Sequence, residues 1–146
     1  MLKVLIAEDD LMIADMAEEV LIANGYEVCG IARTVAEAVT LGLCHKPDFA
    51  LIDLRLADGE FGTEIVAQLE GLNLGILYAT GNMAQVVLTA ANGHACLAKP
   101  YRGTDLLRGL AIVSDIVRTG TAVPPFPRGF QVLHSEPVLV RELRHG

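Results

Sequence analysis

Five short apolar runs recur along this chain at intervals of about 20 residues. They are LKVLIA (2–7), YEVCGIA (26–32), DFALID (48–53), LGILYAT (74–80) and HACLAK (94–99). Each is too short for a helix, nearly continuous in apolar character, and followed by a longer stretch with helical spacing. A strand that is apolar on both faces belongs inside a parallel sheet covered by helices on either side. Strand–helix alternation with right-handed crossovers then gives one α/β fold, a doubly wound five-stranded parallel sheet. The punctuation agrees. Asp10 caps a helix over 11–24, and Asn24-Gly25 closes it. Thr34 caps VAEAVTLGLCH before Pro47, a helix follows near 62–70, and Leu106, Leu107, Leu110, Val113 and Val117 mark a helix over 103–118. Residues 82–91 are expected to form the remaining helix, ended by Asn92-Gly93.

Composition excludes several classes of function. The 146 residues suffice for one domain with a real core. Hydrophobic content is 52% but aromatic content only 5%, so the core is Ala, Val, Leu and Ile. No apolar run approaches the roughly 18 residues of a membrane span. After Lys3 only four apolar residues precede the first acid, too few for a signal peptide. A net charge of −7 without a Lys/Arg cluster argues against a nucleic-acid surface. The three cysteines, Cys29, Cys44 and Cys96, are odd in number and lie in apolar runs, which reads as buried free thiols in a reducing cytosol. The four histidines have no metal-ligand spacing.

The chemistry lies at the carboxyl ends of the strands, where open α/β sheets bind ligands. The first run ends in Glu8-Asp9, the third in Asp53, the fourth in Thr80 and the fifth in Lys99-Pro100. Two carboxylates roughly 4 Å apart at an effective dielectric of about 20 repel by about 4 kcal/mol, so this acid cluster needs a counter-charge. Three carboxylates around an open, oxygen-rich site suit Mg²⁺, which keeps several waters and takes few protein ligands. Lys99 can pair with an anion beside the metal, and Thr80 can donate a hydrogen bond to it. A phosphoryl group is the anion that fits, with an Asp carboxylate as its nucleophile.

AEDD, LIDLRL with Asp53, YATG with Thr80 and AKP with Lys99, in that order and at strand ends, resemble the receiver domain of two-component response regulators. The resemblance covers residues 1–119 and leaves 120–146 as a Pro-containing C-terminal tail. It implies a flavodoxin-like sheet in the order 2-1-3-4-5. It also implies Asp53 as phosphoacceptor from the phosphohistidine of a sensor histidine kinase or phosphotransfer protein, with Thr80 and Lys99 assisting. Mg²⁺ would be held by Asp9, Asp53 and the backbone carbonyl of Arg55, with Glu8 acting through water and Asp10 serving as a helix cap. The implied protein is a cytoplasmic, stand-alone regulator, relay or phosphate sink, non-enzymatic beyond its own phosphotransfer and dephosphorylation. It would signal by contact with a downstream protein and would neither bind nucleic acid nor insert in membranes. Two other readings stay open. One is a pseudo-receiver that takes no phosphate. The other is an aspartyl-phosphate phosphohydrolase, against which stands Arg55 at the position where such enzymes place a second Asp.

Three departures separate this chain from the usual pattern. Cys96 stands where the family carries its switch aromatic. Ala57 replaces a Pro in a loop, ADGEFG, that looks one residue longer than common. LYATGN is similar to the Phe-Ala-Thr-Gly signature of a divergent single-domain subgroup that often pairs with His-Trp-Glu kinases. The tail holds Pro-Pro-x-Pro at 124–127, then FQVLH and VLVREL around SEP, the pattern of a hairpin. Residues 118–146 carry four Arg against two Glu, net +2, leaving −9 on residues 1–117. An isolated hairpin is marginal in water, so the tail is expected to cover the apolar segment 82–91, in its own chain or across a homodimer. The alternative is a disordered tail.

Overall fold

A computed structural model describes residues 1–83 and 87–135 of the chain. The elements are β1 (Lys3–Ala7), α1 (Leu11–Ala23), β2 (Glu27–Ala32), α2 (Val35–His45), β3 (Phe49–Asp53), α3 (Thr63–Gln68), β4 (Gly75–Thr80), β5 (Ala95–Ala98), α4 (Gly103–Thr119) and β6 (Phe130–Val132). A single 3₁₀ turn, Ala57–Gly59, lies in the loop after β3. The sheet order is β2-β1-β3-β4-β5-β6. The first five strands pair in parallel, as the apolar runs require.

Alternation along the strands fills two cores. Val4, Ile6, Leu51, Leu77 and Leu97 face one way, onto Ala14, Ala17 and Leu21 of α1 and Leu106, Leu110 and Val113 of α4. Leu5, Ala50, Ile52, Ile76, Tyr78 and Cys96 face the other, onto Val35 and Ala38 of α2 and Ile65 of α3. The caps stand where the sequence places them. Asp10 Oδ1 accepts from Met12 N–H at 3.0 Å, and Thr34 Oγ1 accepts from Glu37 N–H at 3.2 Å.

Three expectations need correction. The sheet has a sixth strand: residues of FQVLH pair antiparallel with β5, Leu97 opposite Phe130 and Ala95 opposite Val132. The α-helix expected over 82–91 is not found among the described residues: Met83 lies in a 3₁₀ turn, and 87–89 carry no regular structure. The amide hydrogens that a helix would use internally have other partners. Thr89 N–H donates to Asn92 Oδ1 at 2.9 Å, Ala90 N–H to the His134 carbonyl at 2.7 Å, and Asn92 N–H to the Thr89 carbonyl at 2.8 Å. Side-chain acceptors such as Asn offer the backbone an alternative to the helix ladder, and here that alternative prevails. Of the thiols only Cys96 is buried; Cys29 is half-buried and Cys44 exposed. Residues 84–86 of the expected helix and VLVREL, the second half of the expected hairpin, lie outside the described residues.

Candidate functional site

Four elements deliver the site to one end of the sheet. The β1 exit carries Glu8 and Asp9, β3 ends at Asp53, β4 ends at Thr80, and Lys99 follows β5. Glu8, Asp53 and Thr80 are buried and Asp9 is half-buried. One carboxylate oxygen from each of Glu8, Asp9 and Asp53 lies within 4.8 Å of the others. Lys99 Nζ sits between two of these acids, 3.0 Å from Glu8 Oε1 and 3.1 Å from Asp53 Oδ2. The counter-charge that the acid cluster calls for is therefore supplied in part by the chain itself.

The electrostatics follow from this crowding. Burial, and then a hydrogen bond with Asp53, push the Glu8 carboxyl up to about 7, while Asp10 N–H and Lys99 pull it down less strongly. Burial alone would lower Lys99, but its hydrogen bonds to Glu8 and Asp53 outweigh that and hold it above the ordinary lysine range. Tyr101, two residues on, is pushed up by burial and by the Glu8 and Asp53 charges. The sequence reading missed this tyrosine.

The loop after β3 is folded tightly against Asp53. Arg55 N–H donates to Asp53 Oδ1 at 3.2 Å, and Arg55 forms an antiparallel bridge with Phe61. The Arg55 guanidinium lies exposed over the Phe61 ring, 5.4 Å from its centre. The loop is tied back at its base, where Gly62 N–H donates to the Leu54 carbonyl at 2.9 Å, and to α2, where Glu60 Oε1 accepts from Val35 N–H at 2.8 Å. Gly62 is required by space: a Cβ there would lie 2.3 Å from the Asp53 carbonyl oxygen. Asp10 contributes as a cap and as a donor, its N–H reaching Glu8 Oε2 at 3.1 Å.

Asp53, Arg55, Thr80 and Lys99 open into one cleft of about 630 Å³, with Phe61, Leu88 and Asn92 in its walls. Thr80 Oγ1 accepts from Asn82 N–H at 3.2 Å, which leaves its own hydrogen for a ligand in the cleft. Hard oxygen donors beside an open, partly solvated cleft fit Mg²⁺ well and a closed N/S metal poorly. Asp53 beside a lysine and a free hydroxyl is the constellation of a carboxylate nucleophile with its charge acceptors.

The chain is similar to several known proteins. The chain is 31% identical to the signal receiver domain of a modulated diguanylate cyclase from Desulfovibrio desulfuricans, with a TM-score of 0.67, covering 82% of this chain and 98% of that domain. It resembles SdrG of Sphingomonas melonis, at 27% identity and a TM-score of 0.67, over 78% of this chain and 97% of that one. It is 29% identical over 125 residues to the transcriptional regulatory protein PdtaR of Mycobacterium tuberculosis, 83% of this chain and 60% of that protein. The chain thus spans about 60% of the length of the first curated relatives it matches. No family model matches it.

Proposed function

This chain belongs to the response regulator receiver domains of two-component signalling, and from that premise we propose that it takes a phosphoryl group onto Asp53 from the phosphohistidine of a sensor kinase or phosphotransfer protein. The observation that carries the reading is Lys99 Nζ held 3.1 Å from Asp53 Oδ2 at the mouth of an open cleft. In the step, one Asp53 carboxylate oxygen forms the new P–O bond as the P–N bond to the donor imidazole breaks. The imidazole leaves as a neutral ring once it has a proton. Lys99 and the Thr80 hydroxyl face the oxygens on which charge builds up. Mg²⁺ would be held by Asp9 and Asp53, with Glu8 behind them and the Arg55 carbonyl as a further donor. When bound, it supplies charge neutralisation to the phosphoryl oxygens.

The module would be non-enzymatic apart from this self-catalysed transfer and its reversal by water, and would signal by protein contact in the cytoplasm. Among the described residues no helix is long and apolar enough to cross a membrane. Arg55 at the second position after Asp53 supplies no carboxyl to act as general acid, which counts against the phosphohydrolase reading. The complete set of Glu8, Asp9, Asp53, Thr80 and Lys99 counts against the pseudo-receiver.

The test is intact mass after treatment with acetyl phosphate and Mg²⁺. One added phosphate is expected on the natural chain and none on Asp53→Asn. No addition to the natural chain, even from candidate kinases, would establish the pseudo-receiver; an addition that survives Asp53→Asn would move the acceptor elsewhere.

A further inference from the structure

The segment after α4 is built into the domain more closely than a connector needs. Gly120, at φ 80°, ends the helix. The chain then crosses back over α4, where Arg108 donates from Nε to the Pro125 carbonyl at 2.9 Å and from Nη2 to the Val123 carbonyl at 2.6 Å. Phe126 and Phe130 pack ring on ring with centres 5.5 Å apart. Phe130 also lies on Gly109 of α4, where an added Cβ would be 3.5 Å from the ring. Gly129, at φ 75°, brings its backbone so close to β5 that a Cβ would lie 2.8 Å from that of Ala98. Leu133 is buried, and its N–H donates to the His94 carbonyl at 3.0 Å.

The point nearest the site is Ala98. Its N–H donates to the Gly129 carbonyl at 2.9 Å, and the next residue is Lys99, whose own N–H donates to the Thr80 carbonyl at 2.8 Å. The end of β5 is thereby pinned on one side by β4 and on the other by the tail. Without β6, β5 would be a four-residue edge strand, and its last residue, the one that launches Lys99, would be free to fray.

We propose that residues 121–134 are a working part of the site, a strap that holds the end of β5 so that Lys99 stands against Asp53. Its residues are positioning residues: none faces the cleft, and they act through the backbone of Ala98. The inference rests on the reading of Asp53 as phosphoacceptor.

The test uses the full chain. Phe130→Asp puts a charge among the Phe126 ring, Gly109 and Leu77, and should lift the strap. Phe130→Leu keeps apolar packing and should not. Gly129→Val acts independently, through its positive φ and the contact with Ala98. Phosphate uptake from acetyl phosphate is followed by mass, and amide exchange is followed in parallel. Misplacement of a catalytic group by about 1 Å can cost up to a hundredfold, so uptake in Phe130→Asp and Gly129→Val should fall at least about tenfold. Ala98 and Cys96, whose amides face β6, should exchange faster, β1 and β3 should keep their protection, and Phe130→Leu should match the natural chain. Natural rates with Ala98 deprotected would overturn the proposal. So would unchanged Ala98 exchange in both variants, or loss of protection throughout the sheet in both, which would make the strap a general support of the fold. If the natural chain takes no phosphate, the underlying reading fails first, and faster Ala98 exchange would then report the strap's docking alone.

Discussion

Lys99→Met, in metal-free protein, tests the charge balance on which the site depends. Methionine keeps most of the lysine stem and removes only the ammonium. Lys99 lies 3.0 Å from Glu8 and 3.1 Å from Asp53, both buried. At an effective dielectric of about 20 each contact is worth about 5 kcal/mol in gross attraction, most of it offset by the cost of desolvating the charges. Removing one partner from a buried pair costs about 3–5 kcal/mol because a charge is left unmatched. Glu8 can escape part of that by taking up a proton, since its carboxyl already sits near 7. A loss of about 2–3 kcal/mol at pH 8 follows from the buried-pair range so discounted. For a domain of this size that is about 6–10 °C in Tm. The sign of the pH dependence is fixed. A carboxyl raised above its unfolded pKa makes the folded state bind more protons, so stability grows as pH falls through the folded pKa. Without Lys99 the Glu8 carboxyl rises further, the variant gains more from acidification than the natural chain, and the gap narrows towards pH 6. Thermal melts at pH 8 and pH 6 in chelator measure both effects. A drop below about 2 °C at pH 8 would refute the reasoning, and so would a deficit that widens at pH 6.

Two further outcomes follow from the same geometry. Gly62→Ala forces a Cβ against the Asp53 carbonyl and the Ile52 side chain; overpacking of this kind costs about 1–3 kcal/mol, read as a lower denaturation midpoint with slower phosphate uptake, and an unchanged midpoint would mean that the loop yields freely. At the proposed site Mg²⁺ would compete with the proton on Glu8, so calorimetry should show affinity rising with pH through about 7 and levelling off above it; equal affinity at pH 6 and pH 8 would place the metal away from Glu8.

Much of this molecule was legible in its sequence because parallel strands buried on both faces leave a strong signal. The five apolar runs match the first five strands to within a residue or two at each end, and three of them end in residues of the candidate site, Asp53, Thr80 and Lys99. Asp10 and Thr34 were legible as caps because a side-chain acceptor before a helix has a local job. What escaped was non-local. The segment 82–91 has the apolar richness of a buried helix, and nothing in its own residues reveals that its amide hydrogens will go to Asn92 and to a carbonyl 44 residues on, at His134. The docking of FQVLH escaped for the same reason: it reads as a strand, but its partner strand is named only by the edge that β5 leaves open. Tyr101 was passed over because an isolated aromatic after a Pro carries no periodic signal.

The absence of helix over residues 87–92 and the added strand go together. Ala90 N–H can reach the His134 carbonyl only because 87–92 is not wound into a helix that would use it internally. Tyr78, buried in β4, donates its hydroxyl to the Asn92 carbonyl at 2.6 Å and so fixes the turn at the far end of that segment. Below it, Cys96 packs with Tyr78 and Leu133, and Met83 and Leu88 close over the same cluster. Cys96 Sγ lies 3.6 Å from Met83 Sδ. A large ring at 96 would compete for the space that Met83 occupies beside Cys96. The small Cys96, the non-helical segment 87–92 and the docked tail are thus mutually consistent.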